Sequence, residues 1–289
     1  NLLVIMKEKY LNYFYFTILI MFTATLTYCT VNKNDPVDGD IDDTLNIKGY
    51  NLIWNDEFDG ISIDGTKWVH EVNGYGGGNN ELQYYTDRTE NSYVKEGNLI
   101  IVAEQEEFTG SDGTRYFTSA RITTEETKSF IYGKVTARIK LPYGQGIWPA
   151  FWMLGLNIDQ VGWPKCGEID IMEMIGGGDG KDNVTHGTLH WDANGHQYKG
   201  GSKKLNSGIL ADDFHKFTVD WSDEKVDWLL DGNLFYSLKI SEESMSEFHD
   251  HFFIILNLAI GGNWPGDPIP ETQFPQIMEV DYVRVYQKE

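Results

Sequence analysis

Three carboxylates stand close together near the middle of the chain, in Gly167-Glu168-Ile169-Asp170-Ile171-Met172-Glu173, set among residues that favour strands. Side chains alternate between the faces of a strand, so Glu168 and Asp170 share one face while Ile169 and Ile171 point to the other. Strict alternation would put Glu173 with the isoleucines. One extra residue, a β-bulge absorbing Ile171 or Met172, returns Glu173 to the carboxylate face and bends the strand there. A helix would scatter the acids, because at about 100° per residue Glu168 and Asp170 fall on nearly opposite sides. Three like charges on one face repel, which holds a proton on at least one of them near neutral pH and sets an acid beside a base. A glycosidase that retains anomeric configuration uses such a pair: one carboxylate attacks the sugar and a protonated carboxyl assists the leaving oxygen. The spacing alone also fits a solvated acidic edge strand, so the surroundings must decide.

The surroundings are those of an all-β domain. Beyond Tyr50 there is no sustained helical periodicity, only short β-rich runs separated by Gly, Asn, Asp and Pro, the pattern of a sandwich or jelly roll. Alternating runs predict strands over 98–104, 133–141, 214–221, 225–230, 252–258 and 278–287, with Asp231-Gly232 as a hairpin turn. A short helix is expected over 241–248, capped by Ser241 with Glu242 and Glu243 in its first turn.

Several other groups could join the carboxylates. Trp148 and Trp152, four apart in a strand-like run, face the same side, and Trp163 precedes the acidic stretch. Indoles stack on the C–H faces of sugar rings. Core packing would account for any single Trp, whereas a cluster beside three acids suggests a sugar-binding wall. The Gly-rich segment 74–80 lacks the Lys-Ser/Thr ending of a phosphate loop and reads as a rim loop. His186, Thr188 and His190 alternate onto one face, but no third His or Cys stands at a usual zinc spacing, so hydrogen bonding in a cleft is the better account. No Gly-x-Ser-x-Gly elbow appears. Cys166, two residues before Glu168, would have its thiolate disfavoured by the acids, which points to buried packing.

At 289 residues and 41% hydrophobic content the chain has enough material for one large domain. Its net charge of -21 repels nucleic acid and anionic membrane surfaces and suits a neutral partner, though such acidity also simply aids solubility. Lys7 and Lys9 precede an apolar run over 10–28 and then Cys29, which reads as an export signal over 1–29. Leu26-Thr27-Tyr28-Cys29 loosely matches a bacterial lipoprotein processing box, with Cys29 as the lipidated first mature residue. Ordinary cleavage nearby, or retention of the run as an anchor, are the alternatives. The polar segment 30–49 reads as a flexible acidic tether, leaving 50–289 as the folded domain, expected as a monomer that is exported: an outer-membrane or cell-surface lipoprotein, otherwise periplasmic or secreted.

Further motifs run through the domain in order: Trp54-Asn55-Asp56-Glu57-Phe58-Asp59, Asn79-Asn80-Glu81-Leu82-Gln83-Tyr84-Tyr85, Gly146-Ile147-Trp148-Pro149-Ala150-Phe151-Trp152-Met153 and Trp163-Pro164 with the stretch from Cys166 to Glu173. After them come His186-Gly187-Thr188-Leu189-His190-Trp191, Asn257-Leu258-Ala259-Ile260-Gly261-Gly262 and Val280-Asp281-Tyr282-Val283-Arg284-Val285-Tyr286. With these, 50–287 resembles glycoside hydrolase family 16, and within it the bacterial laminarinase-like endo-1,3-β-glucanases. The resemblance implies a curved jelly roll of two antiparallel sheets with a concave groove, and a β-glucan as partner. It implies Glu168 as nucleophile, Asp170 as the carboxylate that bonds and tunes it, and Glu173 as general acid/base, with Met172 as the inserted residue of the bulge. It further implies that Asn80, Arg121, Trp148, Trp152, Trp163 and His190 hold glucose units. No cofactor is expected for catalysis, but a structural calcium is, at Asp281 with backbone oxygens near Glu57 and Gly97. Hydrolysis of mixed-linkage glucan, agarose or carrageenan, or glucan binding without turnover, are the rival expectations.

Overall fold

The computed structural model describes residues 45–178 and 180–289. The expected export signal over 1–29, with Cys29, and most of the expected tether over 30–49 lie outside the described residues. Two large antiparallel sheets carry most of the described strands, and two short pairs, Gln83–Tyr85 with Phe117–Ser119 (parallel) and Phe108–Gly110 with Gly113–Arg115, stand apart. In the first large sheet, the acidic strand Glu168–Glu173 lies between Ile147–Gly155 and Val184–Asp192. Beyond Val184–Asp192 comes the edge strand His196–Lys204, and beyond Ile147–Gly155 come Phe252–Ile260, Arg121–Thr123 and Val69–His70. The second sheet runs in the order Asn233–Lys239, Lys225–Leu230, His215–Trp221, Gly133–Lys140, Gln276–Lys288, Asn98–Ala103 and Ser92–Lys95, with Tyr50–Asp56 also paired to Gln276–Lys288.

Period-two alternation builds the core between them. Val135, Ala137 and Ile139 from one sheet meet Phe151, Met153, Ile169 and Leu189 from the other, all sealed from solvent. Each of the larger side chains contributes about 1.5–3 kcal/mol on burial, and that force fixes the register, because a one-residue slip would turn every one of them outward. The jelly-roll sandwich expected from the sequence is the fold observed.

Two expectations are corrected. The run over 252–258 is the strand Phe252–Ile260, but it does not alternate in burial. Ile254 and Leu256 enter the main core, while Phe253 and Ile255 on the other face pack with Leu154 and Cys166 in a second, smaller cluster. The expected helix over 241–248 is a 3-10 run, Glu243–His249, with no side-chain cap; its Met245 and Phe248 are buried, so packing rather than capping holds it. The Asp231-Gly232 turn stands as expected, joining Lys225–Leu230 to Asn233–Lys239 with both residues at positive φ, 50° and 76°.

The bulge is present in the acidic strand. Across Ile147–Gly155, Trp152 faces Asp170 and Phe151 faces Met172, so the residue without a partner there is Ile171, not Met172 as the resemblance implied. Across Val184–Asp192, Asp170 faces Thr188 and Glu173 faces His186, which leaves both Ile171 and Met172 opposite Gly187. Both point into the core. From the second sheet, Trp228 reaches beneath the bulge and donates its indole N–H to the backbone carbonyl of Asp170 at 2.7 Å. Gly187 is the residue that makes room, because a Cβ there would collide with the Trp228 ring.

Candidate active site

The extra residue gives the three acids a common face. Glu168, Asp170 and Glu173 all line one cleft of about 1030 Å³ over the first sheet. The neighbouring strand Ile147–Gly155 alternates Phe151 and Met153 into the core with Trp148 and Trp152 into the cleft. The strand on the other side contributes His186, Thr188 and His190 by the same alternation.

Each outer acid is held by an indole. Trp163 donates its N–H to Glu168 Oε2 at 3.0 Å, and Trp148 donates its N–H to Glu173 Oε1 at 3.0 Å. Between them Asp170 is 2% exposed, and its Oδ2 is sealed from solvent without an aligned hydrogen bond, with His190 Nε2 3.2 Å away. The same nitrogen lies 3.7 Å from Glu168 Oε1.

This crowding dictates the protonation chemistry. Burial, and then the charge of Asp170, push the Glu168 carboxyl up to about 8. Burial followed by the charges of Asp170 and Glu168 raises Glu173 well above the usual carboxylate range, and burial raises Asp170. The groups that favour an ionised Glu168 are His190, the Trp163 N–H and Arg121; around Glu173 they are the Trp148 N–H and His190. The site therefore holds protons among its acids at neutral pH while giving Glu168 more support as an anion. Burial, with Glu168 next in effect, also pushes the Cys166 thiol up to about 11, so this buried cysteine is no nucleophile.

The other expected groove residues divide. Trp152 lies in the cleft with its N–H donated to Asn257 Oδ1 at 2.7 Å, and the Arg121 guanidinium sits 4.9 Å from its ring centroid. Arg121 is itself paired with Glu71 at 2.8 Å. Trp163, half exposed, and His190 also line the cleft. Asn80 does not. It stands at φ 59° and bonds Asn263 Oδ1 at 2.8 Å, while Asn79 beside it faces the cleft. Sequence reasoning missed Trp264, which crosses Trp148 edge-on at 5.7 Å and His186 at 5.0 Å. A Trp between Gly261-Gly262 and Pro265-Gly266 is a loop aromatic without a core to fill, and that was the available signal. His196, Tyr198 and Glu71 were missed too: the first two come to the cleft through the hairpin pairing of His196–Lys204 with Val184–Asp192, and Glu71 through its ion pair with the distant Arg121.

The calcium implied by the resemblance would draw on the Asp281 carboxylate and on backbone oxygens near Glu57 and Gly97. A calcium ion takes six to eight oxygens, carboxylates first. Here Asp281 Oδ2 is paired with Arg138 at 2.8 Å, and Glu57 is gripped by Arg284 through both oxygens at 2.8 and 2.9 Å. Arg138 thus competes for the single side-chain donor expected, Asp281, and the backbone oxygens near Glu57 and Gly97 would have to supply the rest of the ion's shell. Glu168, Asp170 and His190 bring polar atoms within 4.8 Å of one another. His186, edge-on to Trp264, is not part of that cluster.

Comparison with known proteins gives a consistent picture. The family model described as glycosyl hydrolases family 16 matches residues 79–284. The alpha subunit of clotting factor G from Tachypleus tridentatus is 42% identical over 82% of this chain, which spans only 34% of that protein. A beta-glucanase from Rhodothermus marinus is 39% identical over 82% of this chain and 85% of its own length. The catalytic domain of an endo-1,3-beta-glucanase (laminarinase) from Thermotoga petrophila superposes with a TM-score of 0.77 at 42% identity, covering 84% of this chain and all of that one.

Proposed function

The chain belongs to the glycosyl hydrolases family 16, and from that premise we propose that it cleaves β-1,3-glucan chains internally, with retention of anomeric configuration. One observation carries the assignment: a single strand presents Glu168 and Glu173 to the same cleft, each fixed by its own indole N–H, with Asp170 buried between them. In the first step Glu168 attacks the anomeric carbon, the bond from that carbon to the glycosidic oxygen breaks, and Glu173 gives its proton to the departing oxygen. In the second, water attacks the same carbon, Glu173 takes the water's proton, and the bond to Glu168 breaks. Asp170 biases both partners by its charge and contacts His190. Trp148, Trp152 and Trp163 offer indole surface to the sugar rings, and Arg121 can bond their hydroxyls. No cofactor enters either step.

Reducing-sugar release from laminarin, compared with mixed-linkage glucan, agarose and carrageenan, tests the substrate, and an NMR time course tests the stereochemistry. Laminarin should be the preferred substrate, with the β-anomer appearing first. Cleavage of another glycan alone, binding without turnover, or an initial α-anomer would each overturn the proposal. Glu168→Gln should abolish hydrolysis in a folded protein.

We also propose that the protein is exported and acts as a monomer, tethered to a bacterial membrane by lipid on Cys29. The apolar run before Cys29 and the polar segment after it support this. Incorporation of labelled palmitate at Cys29 tests the anchor, and absence of label would remove it.

A further inference from the structure

His196 opens the edge strand His196–Lys204, and its Nε2 lies 2.8 Å from Nδ1 of His190. The two rings are nearly parallel, at 15°, with centroids 5.1 Å apart. The other nitrogen of His190, Nε2, faces Asp170 Oδ2 at 3.2 Å and Glu168 Oε1 at 3.7 Å. One imidazole therefore joins the acids at the centre of the cleft to a second imidazole at its exposed edge. We propose that His196 is a positioning residue that acts through His190, fixing which His190 nitrogen carries a proton and so holding an Nε2–H toward Glu168 and Asp170. The proposal rests on the hydrolytic function given above.

The chemistry of two bonded imidazoles constrains the pair. One ring must donate and the other accept. A lone pair on His190 Nε2 would oppose the lone pairs of ionised carboxylates, so Nε2 carries a hydrogen whenever it faces them. Nδ1 is then the variable position. In neutral His190 it accepts from His196 Nε2–H, and in the imidazolium it donates to His196 Nε2. Both states use the same 2.8 Å contact, so a proton can enter from the solvent side without disturbing the acids. An Nε2–H held toward Glu168 favours its ionised form, in line with the lowering effect of His190 on that carboxyl.

The other groups around the pair leave this role to His196. Facing His190 are Glu168, Asp170, the Tyr198 ring at 5.8 Å and the Trp163 ring at 6.1 Å, while Glu71, Glu81, Glu173, Arg121 and His186 are the other carboxylate, guanidinium and imidazole groups lining the cleft. Facing His196 are His190, the Tyr198 ring at 5.8 Å and the Trp163 ring at 4.5 Å. Asp192 lies opposite in the ladder, but its carboxylate accepts from Gly195 N–H, and Glu247 accepts from the Asp192 backbone N–H.

Steady-state kinetics on laminarin across pH, with His196→Leu and His196→Gln beside the wild type, test the proposal together with NMR of the His190 ring nitrogens. His196→Leu should move the acid limb of kcat/KM up by about half a pH unit or more. It should also lower kcat about fivefold while KM stays within about twofold, and the His190 nitrogen shifts should report a mixture of tautomers. His196→Gln, whose amide still offers a donor and an acceptor at the same reach, should restore the limb and kcat. A raised KM with an unmoved acid limb would show that His196 only contacts sugar, and unchanged His190 nitrogen shifts in a folded His196→Leu would likewise overturn the proposal. If the wild type leaves laminarin intact the hydrolytic proposal fails, whereas the NMR comparison still decides the role of His196.

Discussion

Trp163 stands with its indole N–H 3.0 Å from Oε2 of Glu168, on the same carboxylate that burial and Asp170 push toward protonation. The hydrogen bond opposes that push and favours the charged form needed for attack. Trp148 makes the matching bond to Glu173, where an ionised carboxylate is unwanted in the first step. The two indoles therefore bear on opposite limbs of the pH profile.

Trp163→Phe should raise the acid limb of kcat/KM, because Glu168 loses a group that lowers its pKa. Trp148→Phe should raise the basic limb, because Glu173 then keeps its proton to higher pH. A hydrogen bond to a charged group is worth about 1.5–3 kcal/mol at most, and the half exposure of Trp163 reduces that, so a loss of about tenfold in kcat/KM at the wild-type optimum is expected for Trp163→Phe. Movement of the same limb in both variants would contradict the opposed roles.

The two glutamates should also separate under rescue by azide. In Glu168→Ala the small anion can enter the space of the missing carboxylate and attack an activated aryl glycoside from the Glu168 side, giving the α-glycosyl azide. In Glu173→Ala the covalent intermediate still forms on Glu168, and azide releases it from the opposite side as the β-azide. Asp170→Asn should be slower than wild type but active. Product stereochemistry by NMR assigns the roles, and exchanged outcomes would reverse them.

The acids should make stability fall as pH rises. Glu168 titrates near 4.5 in the unfolded chain and about 8 in the folded one. Across that window the native state holds a proton that the unfolded state has lost, so the contribution is fully present below about 4.5 and is lost as pH rises through 8. Glu168→Gln cannot titrate. Its melting temperature should exceed that of the wild type at pH 8, and the advantage should fade toward pH 4. A constant difference over that range would mean that burial does not govern the carboxyl.

The bulge can be tested by deletion. Removing Ile171 leaves Glu168-Ile169-Asp170-Met172-Glu173, in which regular alternation still sets all three acids on one face with Ile169 and Met172 on the other, so the deletion variant should fold and keep measurable activity. A milder probe is Trp228→Phe, which leaves the buried Asp170 carbonyl without the indole donor. An unsatisfied buried carbonyl costs about 1–3 kcal/mol, and denaturant unfolding should show a loss of that size. An unchanged midpoint would mean that the carbonyl finds another donor.

The need for a bulge was legible from parity alone, because three acids with Ile171 and Met172 between the last two cannot share one face of a regular strand. Which residue lacks a partner was not, since Ile171 and Met172 are both apolar and both buried. Only the pairing of Met172 with Phe151 distinguishes them. Trp148 and Trp152 could be placed from their spacing. Trp228 could not be connected to Asp170, as its strand belongs to the opposite sheet and the contact spans 58 positions. Asn80 was misplaced for a local reason: its positive φ separates it from its neighbour Asn79, which faces the cleft. His196 gave no periodic signal, and its meaning depends on a strand pairing that brings it to His190.

The half-exposed indole of Trp163 also makes the protein its own optical reporter. Trp68, Trp221 and Trp228 are sealed in the interior and should emit at short wavelength, whereas Trp163 lies 49% open against His196 and Glu168. Emission collected at long wavelength comes mainly from the solvated indoles, so its intensity should follow proton uptake and sugar occupancy in the cleft without any added dye.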